Sequence, residues 1–243
     1  MSWILILGAK SDIGKAIAHK FARGGFNIYL AARKHQQLER DVADLEVRHQ
    51  IKAAAVEFDA TDYPGHQGFY DGLKEKAMGV VCAVGYLGNQ KMAEQEFQET
   101  EKIISANYIG CVSVLNIIAN DFEERQQGFI IGISSVAGDR GRQSNYLYGS
   151  AKAGFSAYLS GLRNRLSRSN VQVMTVKPGF VDTKMTEGMR LPPLLTAQAE
   201  EVAEDVYKAW MKRKDVVYTR WFWRWIMAAI TCIPERIFKK LDL

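Results

Sequence analysis

The sequence predicts one α/β domain, a doubly wound parallel sheet of about seven strands with helices on both faces. Apolar runs of strand length alternate with longer stretches of helical periodicity, the arithmetic of repeated βαβ units. The first apolar run leads into a glycine-bearing turn, Gly8-Ala9-Lys10-Ser11-Asp12-Ile13-Gly14. With 243 residues, 47% of them hydrophobic, the chain has the size and core material of one large domain. Its Gly and Pro residues punctuate element ends instead of clustering into a linker, and no repeat or low-complexity segment interrupts it.

Taken in order, strands are expected at Trp3–Leu7, Asn27–Ala32, Ile51–Phe58, Gly79–Val84, Phe129–Ser134, Val171–Lys177 and Val216–Thr219. Helices are expected between them, at Ile13–Arg23, Gln36–Gln50, Tyr63–Glu75, Glu99–Gln126, Tyr146–Ser169 and Ala197–Lys212. The opening apolar run of five residues, with no basic segment before it, is too short for a signal peptide and reads as a buried first strand.

Cys82, Cys111 and Cys232 are odd in number, far apart and without a C-x-x-C pair. This argues against a disulfide framework or a metal site and for a reducing, cytoplasmic setting. The net charge of +5 sits in the tail: residues 208–243 hold nine Lys/Arg and three Asp/Glu, leaving 23 basic and 24 acidic groups in residues 1–207. A body without a basic stripe argues against nucleic acid as a partner.

The turn from Gly8 to Gly14 offers backbone N–H groups and a helix N-terminus to a diphosphate, as in a Rossmann-type fold. Asp12 stands where a further glycine is usual; Ser11 or Asp12 suits the helix N-cap, and the Asp12 carboxylate should point away from phosphates. After the second strand comes Arg33-Lys34, with no acidic residue to hold an adenosine ribose. A basic pair there favours NADP(H) over NAD(H), through a 2′-phosphate, against the alternative that Arg33 and Lys34 only solvate a helix start; Lys10 either assists or is an ordinary loop lysine. Asp59, before Ala60, ends the third strand and either accepts from an adenine amino group or caps the next helix. Ala83 and Gly85 are small enough for a cofactor to reach the backbone. In Pro178-Gly179-Phe180-Val181-Asp182-Thr183, Gly179 permits close approach, and Val181 and Thr183 would meet a flat ring and its amide.

Chemistry concentrates between Ile133 and Lys152. Tyr148 and Lys152 are four apart in a helical segment and share one face. A free tyrosine titrates near pH ~10, and a fixed ammonium beside it favours the phenolate. Ser135, at a strand end, is placed to hold a carbonyl oxygen beside the phenol. Asn107, a poor helix former in an apolar helix, implies a buried hydrogen-bonding role, either holding a water for proton relay or pinning the helix.

This ordered set resembles the classical short-chain dehydrogenases/reductases. The resemblance runs through the glycine turn, Asp59, Asn107, Ser135, Tyr148-x-x-x-Lys152 and Pro178-Gly179. It implies Tyr148 as general acid/base and Ser135 as the group polarising the carbonyl. It further implies Lys152 on the nicotinamide ribose, Asn107 on a relay water, and a homodimer or homotetramer. Asp12 and the segment Cys82-Ala83-Val84-Gly85, where Asn-Asn-Ala-Gly is usual, depart from the family pattern. Within the family the chain is most similar to decaprenylphosphoryl 2-keto-pentose reductases, which act on a lipid-linked sugar. Ser134 to Arg140, Ser144 to Gly154 and Ile233 to Leu241 carry that similarity.

The implied activity is NADPH-dependent reduction of a ketone on a hydrophobic or lipid-linked substrate, under a lid at residues 180–196 rich in Met and Leu. The same residues would serve an alcohol dehydrogenase running in reverse. A non-catalytic dinucleotide-binding scaffold is the competing class, although such proteins often lose an acid/base residue and here Asn107, Ser135, Tyr148 and Lys152 are all present. The tail at 220–243 is expected to lie outside the catalytic domain of residues 1–219. Trp221 to Ile233 holds one charge in thirteen residues, too short and too broken by arginine for a spanning helix of ~20 residues. It suits either peripheral docking at the inner membrane face or packing on the body or a second subunit. Asp139, Arg140 and Arg142 are expected at the mouth of the site, with the arginines free to meet a substrate phosphate.

Overall fold

The computed structural model describes residues 1–241, so the last two residues of the expected tail lie outside the described ones. The chain runs β1 (Trp3–Leu7), α1 (Asp12–Arg23), β2 (Asn27–Ala32), α2 (Glu39–His49), β3 (Ala53–Glu57), α3 (His66–Asp71) and β4 (Ala77–Cys82). It continues through α4 (Gln90–Ala93), α5 (Phe97–Ile104), α6 (Gly110–Glu124), β5 (Gly128–Ile133), α7 (Tyr146–Leu166) and β6 (Val171–Pro178). Then come β7 (Phe180–Asp182), β8 (Thr196–Gln198), α8 (Ala199–Met211), β9 (Val216–Thr219), α9 (Trp223–Cys232) and α10 (Glu235–Phe238).

Seven strands form one parallel sheet in the order β3-β2-β1-β4-β5-β6-β9. The order reverses between β1 and β4, the switch point at which open α/β sheets place their ligands. Sequence explains each layer. β1, β2 and β4 read as near-continuous apolar runs because helices cover both faces. On one face Ile17, Ala18 and Phe21 of α1 meet Val202 and Val206 of α8, with Phe129 beneath them. On the other, Cys111, Val114, Leu115 and Ile118 of α6 meet Phe155, Leu159 and Leu162 of α7. The α5–α6 run is long and apolar enough to cross a membrane by composition, yet these α6 side chains are core against the sheet.

The sequence-based boundaries differ from the structure where local chemistry intervenes. The expected helix at 36–50 opens as a tight turn at His35–Leu38 before α2, and Lys34 just ahead of it takes a left-handed φ of 55°. The expected helix at 63–75 shortens to a turn at Tyr63–Gly65 followed by α3, and Gly72 stops it. The expected helix at 99–126 starts at Phe97 and is widened by a π-helical turn at Ser105–Ile109 around Asn107. Ala197, expected to start a helix, pairs with Val181 in a small second sheet of β7 and β8. The tail folds as α9 and α10: Trp223 and Met227 are buried with Val136, and Phe180, Leu195 and Tyr218 pack around them.

Candidate active site

A cleft of about 1140 Å³ opens over the carboxyl ends of the central strands. Its wall brings together every residue expected to hold the cofactor or react except Gly14 and Asn107. Those two sit directly behind it. The Gly14 N–H donates to the Ser11 hydroxyl at 3.0 Å, so Ser11 is the N-cap of α1. Gly8 holds φ at +80°, and a Cβ there would stand 2.7 Å from the Ala83 carbonyl oxygen and 2.8 Å from the Val84 nitrogen. Only glycine fits this turn, which leaves room for a diphosphate against the backbone at the start of α1.

At the far end of the cleft, Lys10 donates to the Gln37 side-chain oxygen at 2.7 Å. The N–H groups of Lys34 and His35 donate to the Glu57 carboxylate at 2.9 and 3.0 Å. Those bonds, that from the His35 N–H foremost, lower the Glu57 pKa to about 2. Glu57 thereby fixes the turn that presents Arg33 to the cleft. Asp59 folds back locally: one of its oxygens accepts from the Thr61 N–H and hydroxyl at 2.9 and 2.8 Å. It makes this local turn and not a helix cap, and it lines the cleft all the same.

The reacting end is assembled by three elements. β5 ends beside Ser135, whose hydroxyl accepts from the Ala137 N–H at 3.1 Å and starts a tight turn at Val136–Gly138. α7 carries Tyr148 and Lys152 on one face. Lys152 is only 2% exposed; its ammonium donates to the carbonyls of Ile133 at 3.1 Å and Val84 at 3.4 Å. It lies 5.7 Å from the centre of the Tyr148 ring. One carbonyl at the end of β5 and one in the loop after β4 therefore hold the cation where it faces the phenol. The helical turn ahead of α6 supplies the third part. The Asn107 amide donates to the Tyr86 carbonyl at 2.6 Å and the Ile103 carbonyl at 2.8 Å, and accepts from the Tyr86 N–H at 3.2 Å. Its side chain thus pins the helix to the loop after β4, the second of the two roles inferred for it. The same loop is braced by Glu99, which accepts from the Tyr86 hydroxyl at 2.7 Å and the Asn89 N–H at 3.1 Å. That hydroxyl is the leading cause that lowers the Glu99 pKa.

Cys82 sits fully buried at the end of β4 with Cys111 beside it, and the hydrogen bond from Cys111 is the main influence pushing the Cys82 thiol down. The two thiols lie buried behind the backbone that lines the cleft after β4. The lid reaches over the cleft: a Cβ at Gly85 would find the Met185 methyl at 3.4 Å, the Asn107 oxygen at 3.6 Å and the Lys152 ammonium at 3.8 Å. Thr186 closes the lid's first turn on the Val181 carbonyl at 2.7 Å. Asp12 turns to the lid as well, accepting from the Lys184 N–H at 2.8 Å.

Two expectations are corrected. Arg140 is not free for a ligand: it donates to the carbonyls of Ile230 at 2.8 Å and Ile233 at 2.6 Å, pairs with Glu235 at 2.9 Å and covers the Phe238 ring at 3.7 Å. A guanidinium with five donors suits a helix C-terminus, which leaves carbonyls unpaired. Asp139 likewise faces inward, bound to Lys177 at 2.5 Å and the Tyr218 hydroxyl at 2.9 Å. Sequence reading also missed Trp223, whose indole lies against Gly179 and donates to the Leu195 carbonyl at 3.2 Å. Tryptophans in an apolar tail gave no signal as to which one turns inward.

Comparison with known proteins agrees with this geometry. Residues 2–192 match the model of the short chain dehydrogenase family. An uncharacterized oxidoreductase of Mycobacterium tuberculosis is 34% identical over 241 residues, covering 98% of this chain and 96% of that protein. One from Streptomyces coelicolor is 30% identical, covering 98% and 95%. Among solved structures, a short-chain dehydrogenase from Sphingobium yanoikuyae in complex with NADPH superimposes with a TM-score of 0.83 at 22% identity, covering 97% of each chain. The chain belongs to the short-chain dehydrogenase family of NAD(P)-dependent oxidoreductases.

Proposed function

We propose that this protein is an NADPH-dependent reductase acting on a ketone of a hydrophobic or lipid-linked substrate, with Tyr148 as general acid. The observation that carries the reading is the buried Lys152 ammonium, held by the Ile133 and Val84 carbonyls and facing the Tyr148 ring. The glycine turn, the bare backbone at Ala83 and the Arg33 wall fit a dinucleotide with a 2′-phosphate, and the Sphingobium structure carries NADPH. The nicotinamide would supply hydride to the carbonyl carbon.

Tyr148 gives its hydroxyl proton to the carbonyl oxygen, and the resulting phenolate faces the buried Lys152 cation, whose charge favours it. Ser135 donates a hydrogen bond to the same carbonyl oxygen and fixes its direction. The alcohol leaves, and Tyr148 regains a proton from solvent. Met185 and Met189 on the lid, with adaptable thioether side chains, suit an apolar substrate portion.

The outward face of α9 supports peripheral contact with an anionic membrane. Trp221, just before α9, and Trp225 on it are 74% and 65% exposed, Arg224 lies over the Trp225 ring, and Arg236, Lys239 and Lys240 are exposed further along the tail. Interfacial tryptophans with basic neighbours bind such surfaces. NADPH consumption over a panel of ketones of increasing chain length, repeated with anionic and zwitterionic vesicles, tests both parts. Turnover that rises with chain length and sedimentation with anionic vesicles alone are expected; no ketone reduced, or no vesicle binding, overturns the respective part.

A further inference from the structure

β3 is the edge strand of the main sheet, and among the described residues only β2 bonds to it. The ladder runs out at Phe58, whose N–H donates to the Ala32 carbonyl at 3.2 Å. The turn that follows places Asp59 and Ala60 in the cleft wall, and contacts from beyond the sheet hold it there. His66, which opens α3, is 1% exposed and has both ring nitrogens engaged. Nε2 lies 3.0 Å from the Asp59 carbonyl oxygen and Nδ1 lies 2.9 Å from the Ser113 hydroxyl on α6. A carbonyl only accepts, so Nε2 carries the hydrogen and donates it, and Nδ1 is left to accept from Ser113. The Phe58 ring stacks on the imidazole with centroids 5.3 Å apart. Gly110, three residues before Ser113, seats the same turn on α6, since a Cβ there would collide with the Ala60 carbonyl.

Asp59 is thereby tied twice. Its carbonyl accepts from His66 and from the Asp62 N–H at 3.1 Å, and one carboxylate oxygen accepts from the Thr61 N–H and hydroxyl. The second carboxylate oxygen is left for a donor in the cleft. Resting on the reading that the cleft holds NADP(H) with its adenine at Asp59, we infer that His66 is a positioning residue for the cofactor. It grips the Asp59 carbonyl and, through Ser113, sets the carboxylate against α6 at the place of the adenine amino group. The imidazole itself touches no cofactor atom. A buried side chain bonded at both nitrogens fixes its partners relative to one another, and here the partners are the cleft wall and α6, the helix that follows the π-helical turn around Asn107.

The test compares the Kd of NADPH with that of its hypoxanthine analogue, which carries an oxygen in place of the adenine amino group. Fluorescence titration of wild type, His66→Leu, His66→Gln and Ser113→Ala reads both. Wild type should bind NADPH about 10-fold more tightly than the analogue, the worth of one hydrogen bond to a carboxylate. His66→Leu keeps apolar volume but loses the bond, and should bring the two Kd values within about 2-fold of each other. His66→Gln, whose side-chain N–H can serve the same carbonyl, should restore most of the preference, and Ser113→Ala should lose part of it. Misfolded protein lowers the amplitude of a titration and leaves the Kd ratio alone. A His66 that only packs α3 on α6 would therefore leave the ratio at its wild-type value in His66→Leu, and that result overturns the inference. Should His66→Leu fail to fold, an unchanged ratio in Ser113→Ala overturns it equally. Wild type binding both cofactors alike would instead overturn the placement of the adenine at Asp59, and the role of His66 with it.

Discussion

The Asp12 carboxylate accepts a 2.8 Å hydrogen bond from the backbone N–H of Lys184, joining the glycine turn to the lid across 172 residues of sequence. A carboxylate in a turn proposed to bind phosphate is unfavourable unless it has another role, and the bond to Lys184 gives this one the role of restraining the proposed lid. Asp12→Ala should release it. Trypsin cleavage after Lys184 and Arg190 would then accelerate several-fold over wild type, and unchanged cleavage kinetics would show that the bond does not restrain the lid.

Arg33 closes the end of the cleft proposed for the 2′-phosphate, from a turn that Glu57 fixes. Arg33→Ala should lower the ratio of kcat/KM for NADPH over NADH by about 10- to 100-fold, the size of one lost charge-assisted contact. Steady-state kinetics with both cofactors measures it, and an unaltered ratio would place the discrimination elsewhere.

Trp223 is 3% exposed and wedges between Gly179 and the Leu195 carbonyl. Trp223→Ala should cost about 3 to 5 kcal/mol of stability, as large aromatic truncations in a core do. Chemical denaturation checks this; a loss under about 1 kcal/mol would mean that the tail is not part of the folded body.

His19 and His49 face each other at 3.1 Å between α1 and α2. Burial lowers both pKa values, with His19 adding to the effect at His49. A histidine whose folded pKa lies below its unfolded value of ~6.5 binds protons more readily when unfolded. Its stabilising share is complete above that unfolded value and is lost as pH falls through the lowered one. Tm should therefore drop on acidification below neutrality, and His49→Gln should flatten the dependence; parallel curves would contradict it.

What was legible in sequence follows from locality. The seven strands show in apolar runs, and the proposed acid/base set shows because Tyr148 and Lys152 are one helical turn apart and Ser135 ends a strand. Contacts between distant segments were not legible. Nothing near Arg140 announces that its partners are Ile230 and Ile233, and no spacing rule ties Asp12 to Lys184. The small sheet pairing Val181 with Ala197 was missed for the same reason, since three-residue strands leave too short a period to read. Asn107 fell between: its type signalled a buried polar role, but only the fold identifies Tyr86 as its partner.

The proposed chemistry stands or falls on whether Tyr148, facing the fixed Lys152 cation, delivers the proton to the ketone. Tyr148→Phe removes one hydroxyl and leaves the cradle for the cofactor intact. The direct measurement is NADPH oxidation with the best ketone of the panel, alongside NADPH binding by fluorescence titration. Turnover should fall by about 10²-fold or more with the NADPH Kd changed little, and turnover at the wild-type rate would contradict the role given to Tyr148.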